Sequence, residues 1–499
     1  MAGHAERRPS PPTGSRAGRK PLGRDPLARI RPGYDVVVVG SGIGGLTAAN
    51  ILARGGHRVC ILEQHYNFGG YATWFKRRGG HVFDVSLHGF PVGMKKTCRR
   101  YWTPEIAARI VPLERIVYDN PQFSLATDFT ARDFAAKLVE VFGVRRETVD
   151  AFFQHLRRMD FFADDGETAG GLLERFFPGR NDVHRLLLEP ISYANGSLAD
   201  DPAITYGIVF ANFAREGIFT FAGGTDLLVR SMREELARNG VELYGHVFVE
   251  RIVVEEGVTK GVVANGRFLA APVVVSNANL KTTVEELVGP AHLPADYVAR
   301  CRAVRLNTSS CQVYLGLAKG AEIPFVADLL FHSTRPTFDS QALGDLRGES
   351  RTFSFYYPKT RPGTNRCSIV SSHNARFADW ASLDDAAYEA EKQHLVQSSL
   401  ESLERLLPGV GSRIDHIEAA TPRTFAFYTR HPAGTTFGTK FEGLKVSRDL
   451  PRHAAGLFHA GSVGILMSGW LGVANYGAIV AHEAEGFFAA RRPAVGAGR

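Results

Sequence analysis

Residues 34–63 read YDVVVVGSGIGGLTAANILARGGHRVCILE, and this stretch decides the fold. The β-branched run at 34–39 has the character of a strand buried on both faces in a parallel sheet. Gly40-Ser41-Gly42-Ile43-Gly44-Gly45 follows without a gap. The spacing then predicts a helix over 46–54, stopped by Gly55 and Gly56, and a second buried strand over 58–63. A G-x-G-x-x-G placed directly between a strand and a helix makes a βαβ dinucleotide-binding unit. Gly40 allows the tight turn, Gly42 lets backbone approach a pyrophosphate, and Gly45 permits close helix–strand contact. The free N–H groups at the helix start face the phosphates. Glu63 ends the second strand, placed to accept hydrogen bonds from a ribose. Its carboxylate would repel a 2′-phosphate, so the nucleotide is FAD or NAD rather than NADP.

The residues that follow separate those two. Gly69-Gly70-Tyr71-Ala72 and Gly79-Gly80 come soon after Glu63, where a nicotinamide dehydrogenase would bring another crossover helix. A long cofactor lying extended needs such close-approach backbone, which points to FAD. No second strand–glycine–helix fingerprint exists for a nicotinamide nucleotide, so electrons enter or leave by the substrate, a quinone, oxygen or a partner protein.

Further out, 100–215 shows helical spacing and many aromatics. Phe152, Phe153, Phe161, Phe162, Phe176 and Phe177 suit either the wall of an apolar tunnel or an ordinary helical core. Gly223-Gly224-Thr225-Asp226 opens a helix reaching about Arg238, with Thr225 or Asp226 as its cap. Strands are expected near 241–254, 259–264 and 273–275, with Asn265-Gly266 as a tight turn. More strands are expected at 310–316, 351–357, 367–372 and 457–460, and one helix near 384–406. The fold class is α/β, a Rossmann-like FAD lobe with an inserted α+β substrate lobe. Residues 34–90, 220–285 and 440–490 form the first lobe; 91–219 and 286–439 form the second.

Composition narrows the function. Of the net charge of +8, six units come from residues 1–33, where eight arginines and lysines face only Glu6 and Asp25. The remaining body is nearly neutral, which argues against a nucleic-acid partner. That segment reads as a disordered basic tail, either a solubilising leader or a tether to an anionic membrane. Five scattered cysteines, with no C-x-x-C pair, give neither a disulfide framework nor a zinc site and fit a reducing compartment. Residues 460–481 carry no charge and are long enough to span a bilayer. Their five glycines and small polar residues suit backbone packed against a ligand better.

The string GSGIGGLTAANILA, with LEQH, GGYATWF and FDVSLH after it, resembles the phytoene desaturase group of flavoproteins, and within it the carotenoid isomerase and retinol saturase branch. FAGGTDLLVRSMREELARNGVEL, VERIVVEEGVTKGVV, AAPVVVSNA, PAGTTFG at 432–438 and LFHAGSVGILMSGWLGVANYGAIVA at 457–481 agree with it. The resemblance spans about 34–490 and is thin over 95–215. It implies FAD contacts at Gly40, Gly42, Gly44, Gly45, Glu63, Gln64, Gly69, Gly70 and Tyr71, and a backbone contact from Val249 near the adenine. It also implies contacts at Gly461, Ser462, Gly472 and Val473 along the ribityl chain and flavin ring. Where desaturases of the group tend to carry a Pro-Gly-rich flavin loop, this chain has Met467-Ser468-Gly469-Trp470-Leu471, a bulkier wall. Tyr71 stands where amine oxidase relatives usually carry arginine, and Gly461-Ser462 where hydroxylases and halogenases usually carry Gly-Asp.

The substrate implied is an extended polyene or isoprenoid, carotenoid- or retinoid-like, altered by desaturation, saturation or cis–trans isomerisation. His88, Tyr428 and His431 are the polar candidates for catalysis near the flavin, a buried histidine being able to hand a proton to a polyene carbon. Asp84 is read as capping a turn or touching the flavin. A flavin amine oxidase-like or natural-product oxidase is the alternative, and a lipid carrier without flavin a third. An apolar substrate implies a cytoplasmic protein held peripherally at a membrane.

Overall fold

The computed structural model describes residues 25–86, 88–159, 166–361 and 366–491. Phe161 and Phe162 lie outside these residues, as does 1–24 of the basic tail. Two sheets organise the chain. In chain order their strands are β1 (Val36–Val39), β2 (Val59–Leu62), β3 (Ile116–Asn120), β4 (Phe123–Thr127), β5 (Glu242–Tyr244), β6 (Val273–Ser276), β7 (Ser309–Leu317), β8 (Leu329–Ser333), β9 (Ser350–Tyr356), β10 (Ser368–Ala375), β11 (Ile414–Ala420) and β12 (Leu457–His459). The helices that position the site are α1 (Ile43–Arg54), α2 (Gly93–Tyr101), α3 (Asn181–Asn195), α4 (Ala203–Ala214), α5 (Gly224–Arg238), α6 (Asp385–Leu406) and α7 (Gly469–Arg491).

The first sheet has the order β5-β2-β1-β6-β12 and every pairing is parallel. Its central strands read VVVV, VCIL and VVVS, and all twelve residues are buried. A strand covered by helices on both faces has no solvent side, so it needs no alternation. Each buried valine contributes about 1.5–3 kcal/mol over its exposed state. Helices α1 and α7 cross on one side of this sheet, where Gly477 meets the backbone of Gly44 so closely that a Cβ would overlap the Gly44 carbonyl oxygen. One glycine of the uncharged 460–481 stretch therefore serves helix–helix contact. Among the described residues no helix is long and apolar enough to cross a membrane.

The second sheet has the order β11-β7-β10-β9-β8-β3-β4, antiparallel except for β8 with β3. It is two-faced. Cys311, Val313 and Leu315 of β7, with Phe353, Phe355 and Ile369, enter an apolar core that also takes Leu395 and Leu403 of α6. The alternate residues, Ser310, Gln312 and Tyr314 with Asn374, Ser372 and Val370, lie on the opposite face, paired across β7 and β10.

Three expectations change. Residues 100–215 are not wholly helical: β3 and β4 form a hairpin that joins the second sheet. Their five-residue runs IVYDN and FSLAT carry no long periodicity, and pairing with β8 makes them strands. The helix expected to be capped by Thr225 or Asp226 begins at Gly224, with Gly223 (φ 106°) as its cap residue. Residues 25–33, assigned to a disordered tail, pack on the first lobe. Leu27 is fully buried, Asp25 pairs with Arg267, and Arg31 Nε lies 2.7 Å from Glu242.

Candidate functional site

The loop between β1 and α1 is built around one carboxylate and one amide. Glu63 Oε2 accepts from the Ser41 N–H (2.8 Å) and the Ser41 hydroxyl (2.6 Å), while Oε1 accepts from the His65 N–H (2.8 Å). Two carboxylate oxygens offer about four acceptor positions, so capacity for a ribose hydroxyl is left. Asn277, just after β6, donates its N–H to the Val39 carbonyl and accepts from the Gly45 N–H through Oδ1 at 3.0 Å. The first-turn amides of a helix have no intrahelical partner. Asn277 takes that of Gly45, and Ile43 and Gly44 border the cavity described below.

The glycines here are required by backbone geometry. Gly40 has φ 90°, and a Cβ on Gly44 would overlap the Ala460 carbonyl oxygen while standing 2.9 Å from Asn277 Oδ1. The second glycine pair closes on the first: Gly69 N–H donates to the Ser41 carbonyl (3.0 Å), and a Cβ on Gly70 would stand 2.9 Å from Gly42 Cα. A strand, a glycine turn, a helix start and a buried carboxylate thus make one concave wall, and these residues fit a dinucleotide.

That wall is one end of a cavity of about 1140 Å³. This exceeds the roughly 300–1,000 Å³ usual for one drug-sized ligand. Beside Glu63 it is bordered by Gln64, His65, Val247, Phe248 and Val249. Its middle is bordered by Tyr71, Ser462, Gly472 and Val473. Its far part lies between the polar face of the second sheet and α3 and α4, with Tyr193, Val209 and Phe213. Trp470 stacks on Phe90, with ring centroids 5.5 Å apart and planes at 19°, and both border the cavity. The loop 432–438 packs on the loop after β12, where the Ser468 hydroxyl donates to the Phe437 carbonyl at 2.7 Å.

Fifteen of the seventeen site residues expected from the sequence border this one cavity: Gly40, Gly42, Gly44, Glu63, Gln64, Gly69, Gly70, Tyr71, His88, Val249, Tyr428, His431, Ser462, Gly472 and Val473. Gly45 and Gly461 do not. Gly45 packs against the Gly40 carbonyl and Asn277, and Gly461 against the Ala278 carbonyl and His459. Tyr428 lies away from the far part: its carbonyl accepts from Gln64 Nε2 (3.5 Å), its ring meets the edge of His65, and it is 40% exposed. It therefore belongs to the Glu63 end, not beside His88.

His88 Nδ1 lies 2.9 Å from the Ser354 hydroxyl on β9. The residue borders the cavity, and burial pushes its pKa down to about 4. His431 donates through Nδ1 to the Thr435 carbonyl (3.1 Å), and burial lowers its pKa as well. In both, burial favours the neutral ring. Tyr71 stands against His431 and donates its hydroxyl to the same Thr435 carbonyl at 2.9 Å. Asp84 does not border the main cavity. Its Oδ1 accepts from the Thr225 N–H (2.9 Å) and hydroxyl at the start of α5, and Oδ2 meets Arg361 at 2.9 Å. It caps a helix from across the fold.

Of the two readings left open for the aromatics, the structure gives the helical core for the four that are described. Phe152, Phe153 and Phe177 are buried, and Phe152 packs edge-on against Phe153, Phe176 and Phe177; none of the four borders the cavity. Sequence reasoning missed Ser41, Asn277 and the sheet residues Ser310, Gln312, Ser372 and Asn374. The alternation in SSCQVYLGL signals a two-faced strand, but not that its polar face meets a cavity.

Comparison with known proteins agrees with this architecture. Residues 43–462 match the family described as flavin containing amine oxidoreductase. A chloroplastic prolycopene isomerase of Arabidopsis thaliana is 24% identical, over 81% of this chain and 74% of its own length. The all-trans-retinol 13,14-reductase of Homo sapiens is 23% identical, over 87% of this chain and 82% of its own. A solved structure of a putrescine oxidase double mutant superposes with a TM-score of 0.65 at 15% identity, covering 91% of this chain and 99% of that one. The glycine cradle, the carboxylate closing β2 and the family match across most of the chain lead to one conclusion: the protein belongs to the flavin-containing amine oxidoreductase family and is an FAD-dependent oxidoreductase.

Proposed function

We propose that this oxidoreductase acts on an extended conjugated or isoprenoid molecule, carotenoid- or retinoid-like, by desaturation, saturation or cis–trans isomerisation. The observation that carries the reading is one continuous cavity running from the nucleotide wall to a far part whose helix side presents Ala194, Ile208, Val209 and Phe213 beside Asn195 and Asn212. FAD, when bound, supplies exchange of a hydride or electrons with a substrate carbon. Gly40–Gly44, Glu63 and the Gly69-Gly70 turn would hold its nucleotide, and Ser462, Gly472 and Val473 would border its ring end. Trp470, Phe90, Tyr193 and Phe213 exclude water and orient a long apolar ligand, whose affinity rests on burial at about 25 cal/mol per Å². His88, tied to Ser354, would be a hydrogen-bonding group of the cavity wall. The prolycopene isomerase and retinol reductase among the relatives support a polyene substrate.

The alternative, oxidation of an amine, has the fold of the putrescine oxidase in its favour. Against it, no carboxylate borders the far part of the cavity among the described residues, so an ammonium buried there has no countercharge. Electrons would pass to or from an external quinone, oxygen or partner protein. Peripheral attachment to a membrane, in the cytoplasm, suits an apolar substrate. Helix α2, which carries Lys95, Lys96, Arg99 and Arg100 and no acid beside the cavity mouth, offers an anionic surface a binding face.

The test is anaerobic incubation of the FAD-loaded protein with carotenoid and retinoid polyenes and, separately, with amines. Change in polyene absorption or isomer composition is the expected outcome. Stoichiometric peroxide from an amine in air, with polyenes untouched, would replace this reading by the alternative.

A further inference from the structure

We propose that the far part of the cavity holds a neutral hydrogen-bonding subsite on the second sheet, and that the substrate carries an uncharged oxygen, a hydroxyl or carbonyl, which docks there. The proposal rests on the polyene reading and narrows it from hydrocarbons to oxygenated polyenes.

Ser310 and Asn374 face each other across β7 and β10, as do Gln312 and Ser372. With a side-chain period of two, all four stand on the face that borders the cavity. Ser310, Gln312 and Asn374 are more than nine-tenths buried, at 6%, 4% and 4% exposure. Their protein partners use only part of their capacity. The Tyr314 hydroxyl, with one proton, stands against both the Gln312 amide and the Val85 carbonyl (3.3 Å), so one end of that amide, oxygen or nitrogen, is left without a partner among the described residues. Asn374 donates through Nδ2 to the Ser192 carbonyl at 2.9 Å, which leaves Oδ1 as an acceptor. The hydroxyls of Ser310 and Ser372 make no hydrogen bond among the described residues. Asn195, at the end of α3, accepts from the Ser197 N–H through Oδ1 and has no partner for Nδ2 among them.

Buried polar groups without partners are costly, and a sheet selected only to hold a hydrocarbon would present valine and leucine at these positions. The set contains donors and acceptors and no charge. The ionised residues bordering the cavity are Glu63, Arg100, Arg430 and Glu483. Arg430 lies over the Phe248 ring at the Glu63 end, and Arg100 and Glu483 stand on α2 and α7. A carboxylate or ammonium on the ligand would find no countercharge at the sheet, whereas a hydroxyl or carbonyl oxygen finds both bonding partners it needs.

The experiment uses the FAD-loaded protein, wild type and the double variant Ser310→Ala/Ser372→Ala. Two matched pairs are presented from detergent micelles: β-carotene with its monohydroxy derivative, and the hydrocarbon deoxyretinol analogue with all-trans-retinol. Bound polyene is read by its own absorption after gel filtration. The wild type should hold the hydroxylated member of the pair that fits about tenfold more tightly than the hydrocarbon. The double variant should lose that preference by weakening only the hydroxylated member. Its ligand-free thermal midpoint should not fall, because the two hydroxyls have no protein partner to lose. Equal affinity within a pair in the wild type, or a preference that survives the double substitution, overturns the subsite and leaves the polyene reading in place. Failure of all four probes to bind overturns both.

Discussion

In the parallel sheet the residues of β1, β2 and β6 are all buried and, Ser276 apart, apolar. In the seven-stranded sheet the strands alternate between Cys311, Val313 and Leu315 on one face and Ser310, Gln312 and Tyr314 on the other. Both sheets are covered on two sides. What differs is the cover: apolar core on the first, and on the second helix α6 on one face with, on the other, a cavity flanked by the apolar clusters of Tyr314 and Phe331. The difference teaches that a buried strand keeps polar residues where it faces a space that a ligand fills. The nucleotide lobe expresses its ligand through backbone, in glycines and free amides. The substrate lobe expresses it through side chains on a sheet.

The strongest test of that division is the aromatic cluster. Phe152→Ala should cost about 3–5 kcal/mol in denaturant unfolding, since a fully buried ring leaves a cavity behind. It should leave flavin content and polyene affinity unaltered. If affinity falls while stability holds, the cluster is a ligand wall after all and the comparison breaks.

Each lobe also buries a neutral histidine. Burial pushes the pKa of His373 in β10 down to about 3 and that of His459 in β12 down to about 4. Both folded-state values lie below the ordinary 6.5, so the unfolded chain binds more protons at intermediate pH. The stability is present above pH 6.5 and is lost as pH falls from there towards 4, each ring costing at most about 1.4 kcal/mol for every pH unit crossed. His459 keeps two partners, Ser447 (2.7 Å) and the Ala278 carbonyl (2.9 Å), whereas neither nitrogen of His373 has one among the described residues. His373→Leu should therefore flatten the acid limb of a thermal-midpoint profile at little cost at pH 7. An unchanged limb would show that other groups carry it.

The smallest effect sharpens the nucleotide side. Gly44→Ala should introduce about 2 kcal/mol of overpacking against the Ala460 carbonyl and Asn277. Flavin retained per polypeptide should drop by about tenfold or more, while far-ultraviolet dichroism is kept. Full flavin content in this variant would mean that the turn tolerates a side chain and that the cradle is not set by backbone contact.

The unequal legibility of the two lobes follows from the same physics. Residues 34–63 could be read because their signals are local: a valine run, glycines at fixed offsets and a carboxylate at a strand end all act within one βαβ unit. The helix over Asp385–Leu406 and the strands Ser309–Leu317, Ser350–Tyr356 and Ser368–Ala375 were legible for the same reason, whereas Leu329–Ser333 between them was not. The hairpin of β3 and β4 was not, because five-residue strands take their identity from a neighbour distant in sequence. Asp84 offers a middle case: capping was foreseen, but the helix it caps begins 140 residues later, at Gly224.

By itself, then, the sequence determined the nucleotide class and the carboxylate that closes the glycine turn. Tertiary structure decided what chain proximity alone does not encode. It turned Phe152, Phe153, Phe176 and Phe177 into core, placed Tyr428 at the Glu63 end and moved Gly461 behind the wall. It also brought Ser310, Gln312, Ser372 and Asn374 to the edge of the cavity. Backbone-based recognition is written in consecutive residues and survives reading in one dimension. Recognition by side chains on a sheet depends on register and on which face is left uncovered, and both are set only when distant strands meet.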